Sequence, residues 1–240
     1  MSARNPYLNG RMKDIPGLNG SNAEPLTTSS VVAKTGFSFA VLLLGGIVGW
    51  YTPVLALPAA LIAFVLGLVL AFKSGGNIPA WAVLLYAGIE GVALGAVTMW
   101  AQTRYPGIAL AAVLGTLVAF MTVFAAYMFG ARSNPKLTRI VLIGMVAYII
   151  YLFASIAIQA FTGFSISDTV VFGLPLGAIL GVLAVGMGVY CLLMDFTEIG
   201  EAVDAGAPDA FGWTLAFGLM LSIIWVYLEI LRLLEYVYKR

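Results

Sequence analysis

The stretch SIIWVYLEILRLLEYV, residues 222–237, has the apolar composition of a helix that lies in a lipid bilayer. It also contains a carboxylate, Glu229, three residues before the basic residue Arg232. An acid at the centre of a membrane helix costs roughly 2.5–3.5 kcal/mol on insertion scales, so such a residue needs a partner or a function. The stretch therefore predicts a membrane-spanning helix and marks Glu229 as a candidate functional residue.

The composition of the whole chain supports the same class of protein. Of the 240 residues, 62% are hydrophobic and 10% are charged, whereas soluble domains carry about 25% charged residues. The sequence contains no histidine and one cysteine, Cys191, which excludes histidine-dependent triads, histidine-ligated zinc and an internal disulfide. We therefore expect an integral membrane protein that is not an enzyme, has no cofactor and binds no nucleic acid.

Seven apolar segments have the length of about 20 residues that a membrane-spanning helix needs. They cover residues 32–50, 54–72, 79–101, 107–129, 139–161, 171–194 and 213–234, with Pro, Gly and polar residues between them. Glycines four residues apart, such as Gly91 and Gly95 in the third segment, predict close helix packing. The sequence thus predicts an all-α polytopic protein, with a seven-helix transmembrane domain over residues 31–240. Residues 1–30 are rich in Asn, Gly, Ser and Pro and predict a disordered tail.

The basic residues predict the orientation of the bundle. Eight of the twelve Lys and Arg residues lie in the tail, at its entry to the membrane, or in the second and fourth loops. Since cytoplasmic loops are enriched in Lys and Arg, we expect a cytoplasmic N-terminus.

Three acids fall inside or directly beside the predicted spans. Glu90 lies in the third, Asp195 directly follows the sixth and Glu229 lies in the seventh. Intramembrane acids commonly mark ion or proton paths, yet each has a structural alternative. Glu229 can pair with Arg232 on the same helical face, Asp195 can be an interfacial charge, and Glu90 can bond a hydroxyl group or a backbone carbonyl.

Asp195 and Glu229 are candidates for a coupled pair. For antiparallel neighbours with a turn near residues 208–212, their heights differ by roughly 0–12 Å at 1.5 Å per residue. Contact is permitted if the sixth helix continues past Asp195. Two carboxylates in a low-dielectric site cannot both ionise cheaply, so they would titrate as a unit. Their oxygens could also bind Ca²⁺.

The stretch LLMDFTEIGEAVDAGAPDAFGWTLAFGLMLSIIWVYLEILRLL, residues 192–234, resembles the C-terminal signature of the Bax inhibitor-1 (YccA-like) family. The stretches YAGIEGVALGAV and YPGIALAAVLGT resemble its third and fourth spans in the version found in bacteria. The resemblance implies a bundle with the seventh helix central, in the bacterial plasma membrane. It further implies a pH-sensitive calcium leak whose acidic pair falls on Asp195 and Glu229. Relatives often have Asp at the second of these positions. Some also carry an acid in the second span, which this chain lacks and for which we interpret Glu90 as a substitute.

Two functions of different classes follow. The first is a cation leak, with Ca²⁺ as permeant or bound ion, gated by protonation of the acidic pair. The alternative is a non-conducting regulator that binds other membrane proteins, such as a quality-control protease, through residues 1–30. Ion flux would distinguish the two. A proton-coupled transporter is open on the acids alone, although no inverted repeat supports it.

Overall fold

The computed structural model describes residues 24–73 and 77–239. Within these ranges the chain forms seven long helices, each long and apolar enough to cross a membrane. They are α1 (Thr28–Tyr51), α2 (Ala56–Lys73), α3 (Ala80–Arg104), α4 (Ile108–Met128), α5 (Pro135–Thr162), α6 (Leu176–Asp204) and α7 (Gly212–Tyr238). The predicted all-α polytopic fold is confirmed.

The predicted start of the sixth span, residue 171, is five residues too early. Val170–Val171 (β1) pairs antiparallel with Leu174–Pro175 (β2) in a short hairpin. Its turn residues, Phe172 and Gly173, have φ angles of 53° and 80°, a conformation that ends any helix. Beyond this hairpin, α6 continues past Asp195 to Asp204.

The predicted disordered tail falls mostly on residues 1–23, which lie outside the described residues. For residues 24–30 the prediction is wrong, because this part is ordered and packed. Leu26 is fully buried, and its N–H donates to the carbonyl of Ala207 over 2.8 Å. The N–H of Asp209 donates to the carbonyl of Glu24 over 2.9 Å. The side chain of Thr27 then caps α1 by accepting from the N–H of Ser30.

The chain divides into two compact units. The first comprises Met1–Trp100 and Glu198–Met220, and it includes α1, α2 and most of α3. The second comprises Ala101–Thr197 and Leu221–Arg240, and it includes α4, α5 and most of α6 and α7. Both α6 and α7 are continuous helices whose residues are shared between the units.

Glycines bring α1 and α3 into backbone contact in the first unit. A Cβ atom built on Gly49 would lie 2.8 Å from the carbonyl carbon of Val92, and one on Gly95 would lie 2.7 Å from that of Gly46. Any side chain there would overlap with the neighbouring backbone. The close packing predicted for Gly91 and Gly95 is therefore present.

Glycines also set the register of α6 against α7 in the second unit. Gly177 faces the ring of Tyr236, Gly181 faces Leu233, and Gly188 faces Trp225 and Val226. The residue number rises along α6 as it falls along α7, so the two helices are antiparallel. The span of α7 is the most buried of the seven, at 50% against 17–44% for the others. This register fixes the height of each acid on the two helices.

Candidate functional site

Glu229 lies at the centre of a closed polar cluster on α5 and α7, and only 3% of it is exposed. The hydroxyl group of Tyr148 donates to Glu229 Oε2 over 2.6 Å. Arg232 Nη1 donates to Glu229 Oε1 over 3.1 Å and to the Tyr148 hydroxyl oxygen over 2.8 Å. Each of the three side chains is thus bonded to the other two. The local ion pair that the sequence permits for Glu229 is present.

The helices position this cluster through spacing and packing. Arg232 follows Glu229 by three residues, which places both on one face of α7. Trp225, one turn before Glu229, packs edge-on against the Tyr148 ring with centroids 5.7 Å apart. The Trp225 Nε1–H group donates to the carbonyl of Ala184 on α6 over 3.1 Å. The aromatic contact therefore holds Tyr148 against α7, where its hydroxyl group meets the carboxylate.

Tyr148 is the member of the cluster that the sequence analysis missed. It lies in the middle of α5, and it is 6% exposed. A buried tyrosine in a membrane helix needs a hydrogen-bond partner for its hydroxyl group. Its position in the middle of an apolar span therefore marked it as a possible partner of an intramembrane acid. What the sequence could not give is the rotation of α5 that turns this residue towards Glu229.

The structure does not bring Asp195 and Glu229 together. Because Gly181 faces Leu233, the position opposite Glu229 is four residues after Gly181, at Val185. Asp195 lies a further ten residues along α6, a height difference of roughly 15 Å at 1.5 Å per residue. The direct acidic pair predicted from antiparallel packing is absent at this separation.

Asp195 instead lies level with the loop between α4 and α5. The next residue, Phe196, packs against the ring of Tyr127 at the end of α4, with centroids 5.7 Å apart. Thr197 Oγ1 accepts from the backbone N–H of Ser133 in that loop over 3.1 Å. Asp195 is half-buried and lies one turn after Cys191 on α6. This position beside a loop agrees with the interfacial alternative, whereas the burial of one carboxylate oxygen, Oδ2, does not.

Glu90 belongs to the first unit and has a partner on its own helix. The side chain that interacts with it is Tyr86, one turn earlier on α3. The Tyr86 ring is buried, and it packs edge-on against Phe217 of α7 with centroids 5.2 Å apart. The structural alternative for Glu90, a bond to a hydroxyl group, would use Tyr86 as its donor.

The predicted calcium ligation by Asp195 and Glu229 together is not assembled. Among residues 24–73 and 77–239, no group of three or more Asp, Glu or Cys side chains could hold a metal ion. The two carboxylates are too far apart to share an ion, and the charge of Glu229 is already matched by Arg232. A hard cation needs several oxygen ligands, so this site favours a proton over a bound metal.

Comparison with protein families gives one match. A family model described as Bax inhibitor 1 like matches residues 5–239, which is nearly the whole chain. Comparison with curated proteins gave no match.

Proposed function

The chain belongs to the Bax inhibitor 1 like family, and on this premise we propose that it is a pH-sensitive cation leak channel with Ca²⁺ as the permeant ion. We place it in the bacterial plasma membrane with its N-terminus in the cytoplasm. The observation that carries the proposal is the burial of a titratable carboxylate, Glu229, in a membrane-spanning helix. Ionisable side chains inside membrane-spanning helices are costly and rare, and those that occur usually have a function in ion or proton movement.

Protonation of Glu229 would break the cluster at two points. The charged carboxylate accepts from both Tyr148 and Arg232. Once neutral, it no longer balances the guanidinium group, and an unpaired charge is unfavourable in a low-dielectric site. The Arg232 side chain is 36% exposed, so it can turn away from Glu229 without a rearrangement of α7. The link between α5 and α7 therefore depends on pH, as a switch requires.

The remaining acids serve the ion pathway in this proposal. Asp195 is half-buried near the ends of α4 and α6, where a carboxylate raises the local concentration of cations. Glu90, in the first unit, is the other carboxylate that attracts cations in this proposal. Neither has to touch Glu229 for this role.

The test is calcium flux into vesicles that contain the purified protein and a Ca²⁺ dye, over a range of pH. We expect the flux of wild type to depend on pH and that of Glu229→Gln to be independent of it. Glu235→Gln is the matched control, because Glu235 is an acid on the same helix near Arg232 but is not one of the three mutually bonded side chains. A pH response that survives in Glu229→Gln would show that this residue is not the sensor. Absence of flux from wild type at every pH would overturn the channel and favour the regulator that binds other membrane proteins.

A further inference from the structure

A row of hydroxyl groups leads from the Glu229 cluster to one end of the second unit. Ser167, in the loop between α5 and α6, is bonded through Oγ to the Tyr151 hydroxyl group over 3.0 Å and to Ser155 Oγ over 3.1 Å. The Tyr151 ring stacks on the Tyr148 ring with centroids 6.0 Å apart. We call Tyr148, Tyr151, Ser155 and Ser167 the hydroxyl row.

Exposure increases away from Glu229 along the path Tyr148, Tyr151 and Ser167, because Tyr151 and Ser167 are partly exposed, and Ser155 is a side branch bonded to Ser167. Glu229 and Tyr148 are buried, at 3% and 6% exposed, and so is Ser155. Ser167 is partly exposed, and its neighbour Asp168 is exposed and pairs with Lys239 over 3.0 Å. Tyr236, near the end of α7, also interacts with Ser167. The row therefore ends at water, beside the C-terminal end of α7.

In the opposite direction along α7, the buried side chains are apolar. Val226, Ile224 and Met220 precede Glu229, and each is buried. None of them can accept or pass on a proton. The nearest hydroxyl group on this face of α7 is that of Ser222, seven residues before Glu229 and roughly 10 Å away along the helix axis. Within the second unit, the hydroxyl groups that reach the Glu229 cluster are therefore on the side of the α5–α6 loop.

The charged and titratable groups around Glu229 also lie on the side of the α5–α6 loop. On α7 they are Arg232, Tyr236 and Glu235, the last under the influence of Arg104 at the end of α3. On α5 they are Tyr148 and Tyr151. The sequence of α4 contains no charged residue, and that of α6 contains none before Asp195, which lies roughly 15 Å away along the axis.

We infer that protons reach Glu229 from the membrane face that carries the α5–α6 loop and the C-terminal end of α7, along the hydroxyl row. This inference rests on the proposed role of Glu229 as the sensor and names the side from which it is controlled. With a cytoplasmic N-terminus, that face is the external one.

Each hydroxyl group of the row regains the proton that it passes on. Tyr148 gives its hydroxyl proton to the Glu229 carboxylate and takes one from the Tyr151 side, Tyr151 takes one from Ser167, and Ser167 takes one from water at the partly exposed end of the row. Each transfer breaks one O–H bond and forms another, so the hydroxyl groups end as they began. Between Tyr148 and Tyr151, whose rings stack, a bridging water is a competent carrier.

The experiment follows protonation of Glu229 directly, by infrared spectroscopy of vesicles after a pH step on their outside. The carboxyl band of Glu229 is assigned by its loss in Glu229→Gln. The orientation of the protein is measured with Thr169→Cys, which places an exposed thiol in the α5–α6 loop for an impermeant reagent. The row is interrupted by Tyr151→Phe and, in a separate protein, by Ser167→Ala. Tyr190→Phe is the matched control, because its hydroxyl group bonds Asn134 at the other end of α5.

We expect molecules whose α5–α6 loop faces outward to protonate Glu229 promptly after the step. In Tyr151→Phe and Ser167→Ala the rate should fall several-fold with the same final amount, and Tyr190→Phe should match wild type. Unchanged rates in both variants, or protonation only from the other face, would overturn the inference and leave the proposed function standing. Because the readout is protonation, a protein that does not conduct still tests the route. A Glu229 carboxyl group that never titrates would overturn both.

Discussion

The hydroxyl group of Tyr148 on α5 donates to the buried carboxylate of Glu229 on α7 over 2.6 Å. The same hydroxyl oxygen accepts from Arg232 over 2.8 Å. One side chain of α5 thus bonds both members of an ion pair on α7. The strength of this link decides whether protonation of Glu229 changes helix packing.

Removal of this hydroxyl group in Tyr148→Phe should destabilise the protein by about 1–3 kcal/mol, because a buried acceptor loses its donor. The measurement is thermal unfolding in detergent at neutral pH. The control is Tyr190→Phe, which removes a hydroxyl group that bonds Asn134 and Thr138 at the start of α5, where water can replace it. A loss in Tyr190→Phe as large as that in Tyr148→Phe would show that the Glu229 link has no special weight.

Replacement of the cation in Arg232→Gln should move the midpoint of the pH-dependent flux to higher pH, by roughly 1–3 units. The reason is that the charged carboxylate loses the neighbour that favours it, so protonation needs less acid. Arg232→Lys keeps the charge and should stay close to wild type.

Arg104→Gln is the second control for Arg232, since Arg104 is exposed and acts on Glu235. A midpoint that moves to lower pH in Arg232→Gln would contradict the proposed role of the ion pair.

The sequence predicted the seven spans because their length and apolar composition are imposed by the bilayer. It did not predict the pairing of the acids, because that depends on where the chain turns between α6 and α7. The assumed turn lay near residues 208–212, whereas the contacts of Gly177, Gly181 and Gly188 centre it near Ala207. A shift of the turn by three residues changes the height difference between the helices by twice that number. Asp195 and Glu229 then separate by roughly 15 Å.

The ends of the helices were not predicted from the sequence, for a related reason. The start of α6 depends on the hairpin at Val170–Val171 and Leu174–Pro175, which is too short to produce an alternating pattern. The order of residues 24–30 depends on backbone pairing with Ala207 and Asp209, which lie far away in sequence. Such pairing leaves no local periodicity.

The backbone contact between α1 and α3 predicts that Gly49→Ala destabilises the protein by about 1–3 kcal/mol through overpacking. The three atoms nearest to a Cβ atom at Gly49 would all be backbone atoms of Val92, with its carbonyl carbon at 2.8 Å and its Cα at 2.9 Å, so movement of a side chain would not relieve the overlap. Gly36→Ala is the matched control on the same helix, because a Cβ atom there has nothing within 4 Å. Thermal unfolding of the two variants in detergent checks this, and equal stabilities would contradict the contact.

The exposed pair of Asp168 and Lys239 should contribute only weakly and in a defined pH window. The hydrogen bond from Lys239 lowers the pKa of Asp168, so its contribution is present above the unfolded pKa of Asp and is lost as pH falls through the folded one. The same bond raises the pKa of Lys239, so that contribution is lost only as pH rises through its folded pKa.

Asp168→Asn should therefore change stability slightly at neutral pH and low salt, and not at all in high salt or strong acid. Unfolding measured at several pH values and salt concentrations checks this. A large loss at neutral pH that persists in high salt would show that the pair is more than a surface contact.

The ammonium group of Lys34 fastens the segment before α1 to the loop before α7. It donates to Asp209 Oδ2 over 2.7 Å, to the Asp209 carbonyl over 2.6 Å and to Ser30 Oγ over 2.9 Å. Ser30 also donates to Asp209. Lys34→Met keeps the length of the side chain and removes all three of its hydrogen bonds. Since hydrogen bonds to charged groups contribute about 1.5–3 kcal/mol each, local opening should become roughly tenfold more frequent or more.

Amide hydrogen exchange at Leu26 and Asp209 measures this opening, because their N–H groups bond across the same junction. Both amides should exchange faster in Lys34→Met, whereas Lys136→Met, which changes an exposed lysine at the start of α5, should leave them unchanged. Rates unaltered at both amides would show that the backbone pairing of Leu26 with Ala207 holds the junction without Lys34. Faster exchange would instead show that a single charge ties the N-terminal segment to the start of the helix that carries Glu229.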